Sequence, residues 1–156
     1  MILLAAVGYV VKMGGNFDDI FEISRRIATH PSLDAPINTF GYKAYENNFL
    51  GLRGQARTGF VAVKNASLRL KKQSLRKTLC SIVGQIDDSV LLKRAKSFDN
   101  YLDFKKLIST VDADDLSAVK DLTDTCIQNN ISIGGAADLL CATVMVDKLK
   151  DLFYLP

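Results

Sequence analysis

This 156-residue chain has no tryptophan, one histidine, three prolines and three cysteines. Each scarcity removes a class of answer. A zinc centre of several imidazoles is excluded. A Ser-His-Asp triad would have to use His30, which precedes Pro31 at an expected helix end. Cys80, Cys126 and Cys141 are odd in number and far apart. They cannot form a complete disulfide framework and match no metal-ligand spacing, so reduced core thiols in a cytoplasmic protein are the expectation. The apolar opening, MILLAAVGYVV, is too short to span a bilayer, and it lacks the basic region and cleavage site of a signal peptide. Acidic residues are missing between Glu46 and Asp87, where eight basic ones stand: Arg53, Arg57, Lys64, Arg69, Lys71, Lys72, Arg76 and Lys77. Such a segment concentrates anions such as phosphates, or else is a solvated helix face. Only one aromatic, Phe60, lies within 53–77, which leaves few base-stacking platforms and argues against a nucleic-acid partner. The net charge of +3 does not by itself call for one either.

What is present has helical period throughout, and no strand alternation or internal repeat is visible. The fold expected is all-α, a compact multi-helix single domain over residues 1–156. The apolar opening reads as a core helix ended by Gly14-Gly15. A chain that starts directly on such a helix is expected to be N-terminally short, and the helix is a candidate homodimer face. Asn16 and Asp19 suggest a capping box, followed by Ile20, Ile23 and Ile27 at helical spacing, with Pro31 closing the element. Residues 32–38 read as a loop and 39–48 as a short helix. Gly51, Gly54 and Gly59 then allow left-handed turns or close approach to a ligand. Leu75, Leu79, Ile82, Val83 and Ile86 form a stripe. Further helices are expected at 97–110, 113–129 and 132–152.

Two carboxylate groups stand out. Asp87-Asp88 follows the stripe. If the helix stops there, both face the negative end of its dipole and need Lys93, Arg94 or Mg2+ as a partner. If it continues to Lys96, Asp87 shares a face with Val83 and Leu91. Asp138 is the sole charge within Ala136–Val146, on a face with Cys141, Ala142 and Met145. A buried carboxylate there needs compensation. Either it takes up free amides at the helix start, or it points into a pocket beside Gly134-Gly135.

Three stretches in this order, GLRGQARTGF (Gly51–Phe60), DDSV (Asp87–Val90) and SIGGAADLL (Ser132–Leu140), resemble the triphosphoribosyl-dephospho-CoA synthases. These make the precursor of the citrate lyase and malonate decarboxylase prosthetic group. The resemblance covers most of the chain, though family members are longer at the N-terminus. The family has Glu where Gln55 stands, Asn at Val90, His at Lys93, and Pro and Ser at Ile133 and Ala136. The resemblance implies a transferase: the 2'-hydroxyl of dephospho-CoA attacks C1 of the ATP ribose, adenine leaves, and the triphosphoribosyl group is transferred intact. It implies catalytic Asp87, Asp88 and Asp138, with Mg2+ on Asp87 and Asp88. It also implies ATP and dephospho-CoA held by Arg53, Gly54, Gln55, Arg57, Gly59, Lys93, Arg94, Ser132, Gly134 and Gly135. Two alternatives stay open. One is a non-catalytic family member that binds nucleotide or a partner protein. The other is a helical interaction or nucleic-acid-binding protein using 53–77.

Overall fold

The computed structural model describes residues 1–31 and 38–153. Ten α-helices form among them: α1 Ile2–Lys12, α2 Asp19–Ala28, α3 Phe40–Glu46, α4 Gly51–Arg57, α5 Val61–Arg69, α6 Leu75–Gln85, α7 Ser89–Ala95, α8 Phe98–Thr110, α9 Leu116–Gln128 and α10 Gly134–Leu149. Short 3-10 turns follow α5 at Leu70–Lys72 and α10 at Lys150–Phe153. No strand occurs among the described residues, so the all-α expectation holds. Most of the expected 32–38 loop lies outside them.

Helix starts follow local chemistry. The Asn16 backbone N–H donates to Asp19 Oδ2 at 2.8 Å, and Asn16 Oδ1 accepts from the Asp18 and Asp19 amides, which is the expected capping box. Thr39, Ser74, Ser97 and Asp115 cap α3, α6, α8 and α9 through their side-chain oxygens. Each such cap contributes about 1 kcal/mol.

The core is built around α10. Its Ala136, Leu139, Thr143 and Val146 are buried at three- and four-residue spacing, against α5 and α6. α1 buries Leu3, Ala6, Val7 and Val10 and packs on α2. It is the core helix anticipated, with Leu4, Tyr9, Val11 and Met13 left on its exposed side. The stripe on α6 is shifted from expectation. Leu75 is exposed and Leu79 half-buried, while Thr78, Ile82 and Val83 are buried. Full burial of an Ile or Leu such as Ile20, Ile82 or Leu139 contributes about 1.5–3 kcal/mol. A smaller cluster of Leu91, Ala95 and Tyr101, with Phe49 edge-on to Tyr101, joins α7 to α8.

The cysteines depart from the core-thiol expectation. All three are free, but Cys141 is exposed and the other two are half-buried, where burial pushes both thiols up from their ordinary range.

Candidate active site

Two of the motif stretches meet at one cavity. It has a volume of about 760 Å³ and is walled by the start of α1, by α4 and by the outer face of α10. Its lining is apolar except for three charged side chains, Arg53 and Arg57 from α4 and Asp138 from α10.

The glycine-rich stretch builds the α4 wall. It is a helix rather than a loop, and its two ends are where glycine matters. Gly51 opens α4 with φ +53°. Gly59 closes it with φ +77°, and a Cβ there would lie 2.9 Å from the carbonyl oxygen of Phe21 on α2. The turn aims α5 back across the core. Gln55 steadies it, since its Oε1 accepts from the Ala62 amide at 3.2 Å. Gly54 lies inside α4, buried against Leu50.

Arg53 and Arg57 sit one helical turn apart and both meet tyrosines of α3. The Arg53 guanidinium lies 4.8 Å from the ring centre of Tyr42 and 5.6 Å from that of Tyr45. Arg57 lies 5.9 Å from the Tyr45 ring and donates to its hydroxyl at 3.1 Å. These contacts hold two long side chains in place at the cavity. Tyr42 and Tyr45 escaped the sequence reading. Their signal was an aromatic pair three residues apart, just before the arginines.

Asp138 shares its face with Cys141, Ala142 and Met145, as helical spacing required. That face is not buried, however. Asp138 is exposed and lies along the cavity. The burial difficulty raised by the sequence therefore does not arise. Nor does Asp138 take up the amides at the start of its helix.

Asp88 does that instead. α6 stops at Gln85, as in the first form of the Asp87-Asp88 expectation, but the cation beside Asp87 is Lys105 rather than Lys93 or Arg94, and a new helix, α7, starts at Ser89. Asp88 is the N-cap of α7, at the positive end of a new helix. Its Oδ1 accepts from the Val90 and Leu91 amides at 2.8 and 3.1 Å. Its Oδ2 accepts from the Ala136 amide of α10 at 2.9 Å. Asp88 is 2% exposed, and its carboxylate ties two helix starts together. Gly135 makes room for it, because a Cβ there would lie 2.9 Å from Asp88 Oδ1. Gly134 lets α10 approach Val90, whose methyls would stand 3.3 Å from an added Cβ.

The remaining predicted residues are dispersed. Asp87 is half-buried, with Lys105 Nζ 3.7 Å from one oxygen and the Leu50 amide 3.4 Å from the other. Beside it, the Tyr101 hydroxyl is buried next to the Asp88 backbone. Burial, reinforced by the negative charge of Asp87, pushes its pKa up to about 12. Ser132 borders a separate apolar hollow between α6, α8 and α9. Lys93 and Arg94 are exposed on α7, outside the cavity. The three amides bonded to Asp88 would compete with a magnesium ion for its carboxylate oxygens. Among the described residues no three His, Cys, Asp or Glu side chains gather around a metal-sized site. The rest of the basic segment is partly neutralised: Lys64 pairs with Asp18 at 2.9 Å and Lys77 with Asp114 at 3.5 Å.

Comparison with known proteins bears on these positions. The profile of one family, described as ATP:dephospho-CoA triphosphoribosyl transferase, matches residues 5–155. Among curated proteins, the chain is similar to Protein CitXG of Leuconostoc mesenteroides subsp. cremoris, with 34% identity over 113 residues. That match covers 64% of this chain and 24% of the relative, so the chain spans about a quarter of that protein's length. No solved structure matches. Among the described residues no helix is long and apolar enough to cross a membrane.

Proposed function

The chain belongs to the ATP:dephospho-CoA triphosphoribosyl transferase family, and from that premise we propose that it transfers the triphosphoribosyl group of ATP to 3'-dephospho-CoA and releases adenine. The observation that carries this reading is the convergence of Arg53, Arg57 and Asp138 on one cavity from stretches far apart in sequence. Glycosyl transfer of this kind needs cations for a triphosphate and a carboxylate near the reacting carbon.

Arg53 and Arg57 hold the triphosphate, each guanidinium offering paired N–H donors to phosphate oxygens. Their tyrosine contacts pre-set the donors, so less side-chain freedom is lost on binding. Magnesium enters as the counter-ion of the ATP substrate. Asp138 faces the ribose. Its negative charge stabilises the oxocarbenium-like centre as the bond from C1 to the adenine nitrogen breaks, a role carboxylates fill in glycoside chemistry. As the hydroxyl oxygen of dephospho-CoA bonds to C1, Asp138 accepts the hydroxyl proton. Adenine leaves with the bonding electrons and is neutralised by a proton from solvent. Asp88 and Gly135 act indirectly, by fixing where α10 starts and hence where Asp138 lies.

The test is adenine release by the purified chain given ATP, magnesium and dephospho-CoA. The reading predicts adenine only when both substrates are present, together with a product of the corresponding mass. ATP-dependent thermal stabilisation without adenine would instead mark a family member that binds nucleotide and has no turnover. Absence of both signals would overturn the proposal.

A further inference from the structure

The reaction proposed above joins two polyanions, and a single cluster of cations is poorly suited to both. A triphosphate and a diphosphate repel each other strongly in a low-dielectric site, so their phosphate tails must diverge from the reacting riboses. A second anion site, close to the first but separate from it, would relieve that repulsion.

The surface beside α7 has the required features. A groove of about 530 Å³ runs along this helix, and Lys93, Arg94 and Lys96 line it together with Ser89 and Asn130. Among the described residues no carboxylate lines it. Among the described residues neither Lys93 nor Lys96 forms an ion pair, whereas Lys64, Lys77, Lys105 and Lys150 all do. Arg94 donates to Asn130 Oδ1 at 3.4 Å, which leaves the Asn130 amide nitrogen as a further donor. A further hollow lies between the groove and the cavity. It has a volume of about 310 Å³, shares Thr39, Gly41 and Ser89 with the groove, and shares Leu52 and Arg53 with the cavity. Tyr42 lies along this middle section. The three depressions are thus neighbours on the surface, with Arg53 and Arg57 at one end and Lys93, Arg94 and Lys96 at the other.

We infer that the α7 groove binds the diphosphate of the second nucleotide substrate, the dephospho-CoA, while the α4 arginines bind the triphosphate of ATP. This rests on the transferase reading. It accounts for two residues, Lys93 and Arg94, that the sequence placed in the site and the fold moved outside the cavity. The acceptor's ribose then lies in the middle section, with its hydroxyl directed toward Asp138.

The test is calorimetric titration of the full chain with ATP–magnesium and with dephospho-CoA separately, in wild type and in a Lys93→Ala, Lys96→Ala double variant. Both lysines are exposed, so unchanged thermal unfolding is the control. The expected result is a rise of about tenfold or more in the dephospho-CoA Kd, with the ATP Kd changed by less than about twofold, in keeping with the loss of charge-assisted contacts on one ligand only. Equal weakening of both ligands, or of neither, overturns the assignment. Inorganic pyrophosphate supplies an independent readout: it should shift the amide resonances of 89–96 in wild type and not in the variant. If wild type binds neither nucleotide, the transferase reading fails by itself. Pyrophosphate shifts that disappear in the variant then retain the groove as an anion site, and absent shifts overturn that as well.

Discussion

Asp88 and Asp138 are the same residue type, both drawn from motif stretches, and the fold gives them opposite positions. Asp88 is buried, and its carboxylate is filled by three backbone amides from two helices. Asp138 is exposed along a cavity shared with two arginines. A carboxylate saturated with hydrogen bonds is poorly available for chemistry but strongly anchored. One left unsaturated beside a cavity contributes little to stability and can act on a bound molecule. The two residues lie on either side of one helix start, so the first positions the second.

Mutation should separate them, with the largest effect at the buried one. Asp88→Ala leaves three amides without their acceptor and should lower unfolding free energy by about 3 kcal/mol, measured by denaturant titration. Asp138→Asn should leave that stability unchanged while reducing the adenine-release rate about 100-fold, as expected for removal of a general base. Equal stability losses at the two positions would break the comparison. Gly135→Ala is intermediate. Its Cβ meets the Asp88 carboxylate at 2.9 Å, so α10 has to shift, and a loss of about 1–3 kcal/mol is expected, with a parallel decline in activity. If activity persists at full stability cost, the Asp88 junction does not position Asp138.

The smallest effect concerns Tyr101, which lies against the same junction. Its pKa is raised in the folded chain to about 12, so the folded state keeps its proton where the unfolded state, at the ordinary value of about 10, releases it. Stability contributed by this group is complete below pH 10 and is lost between about pH 10 and 12. An ultraviolet tyrosinate titration should show a late step that Tyr101→Phe removes.

Much of the fold was legible because it depends on near neighbours. The Asn16–Asp19 capping box depends on contacts within three residues, and the three- and four-residue spacing of Leu3, Ala6, Val7 and Val10 marks the face of α1 that the core covers. The site was legible only in its membership. Arg53, Arg57 and Asp138 do come together, but Tyr42 and Tyr45, which orient the arginines, were missed because a tyrosine pair has no distinctive pattern on its own. Lys93 and Arg94 were grouped with the same site because they follow Asp88 closely in sequence. The new helix at Ser89 carries them to another face.

By itself the sequence determined that this chain is helical and where several of its helices start, as at Ser74 and Ser97, because caps and helical periodicity act over one or two turns; it did not determine the start at Ser89 or which face of α6 is buried. Which carboxylate is buried and which faces a cavity was decided only by tertiary structure. The bond from the Ala136 amide to Asp88 spans 48 residues. No local pattern encodes it, since it exists only once α7 and α10 pack with Gly135 between them.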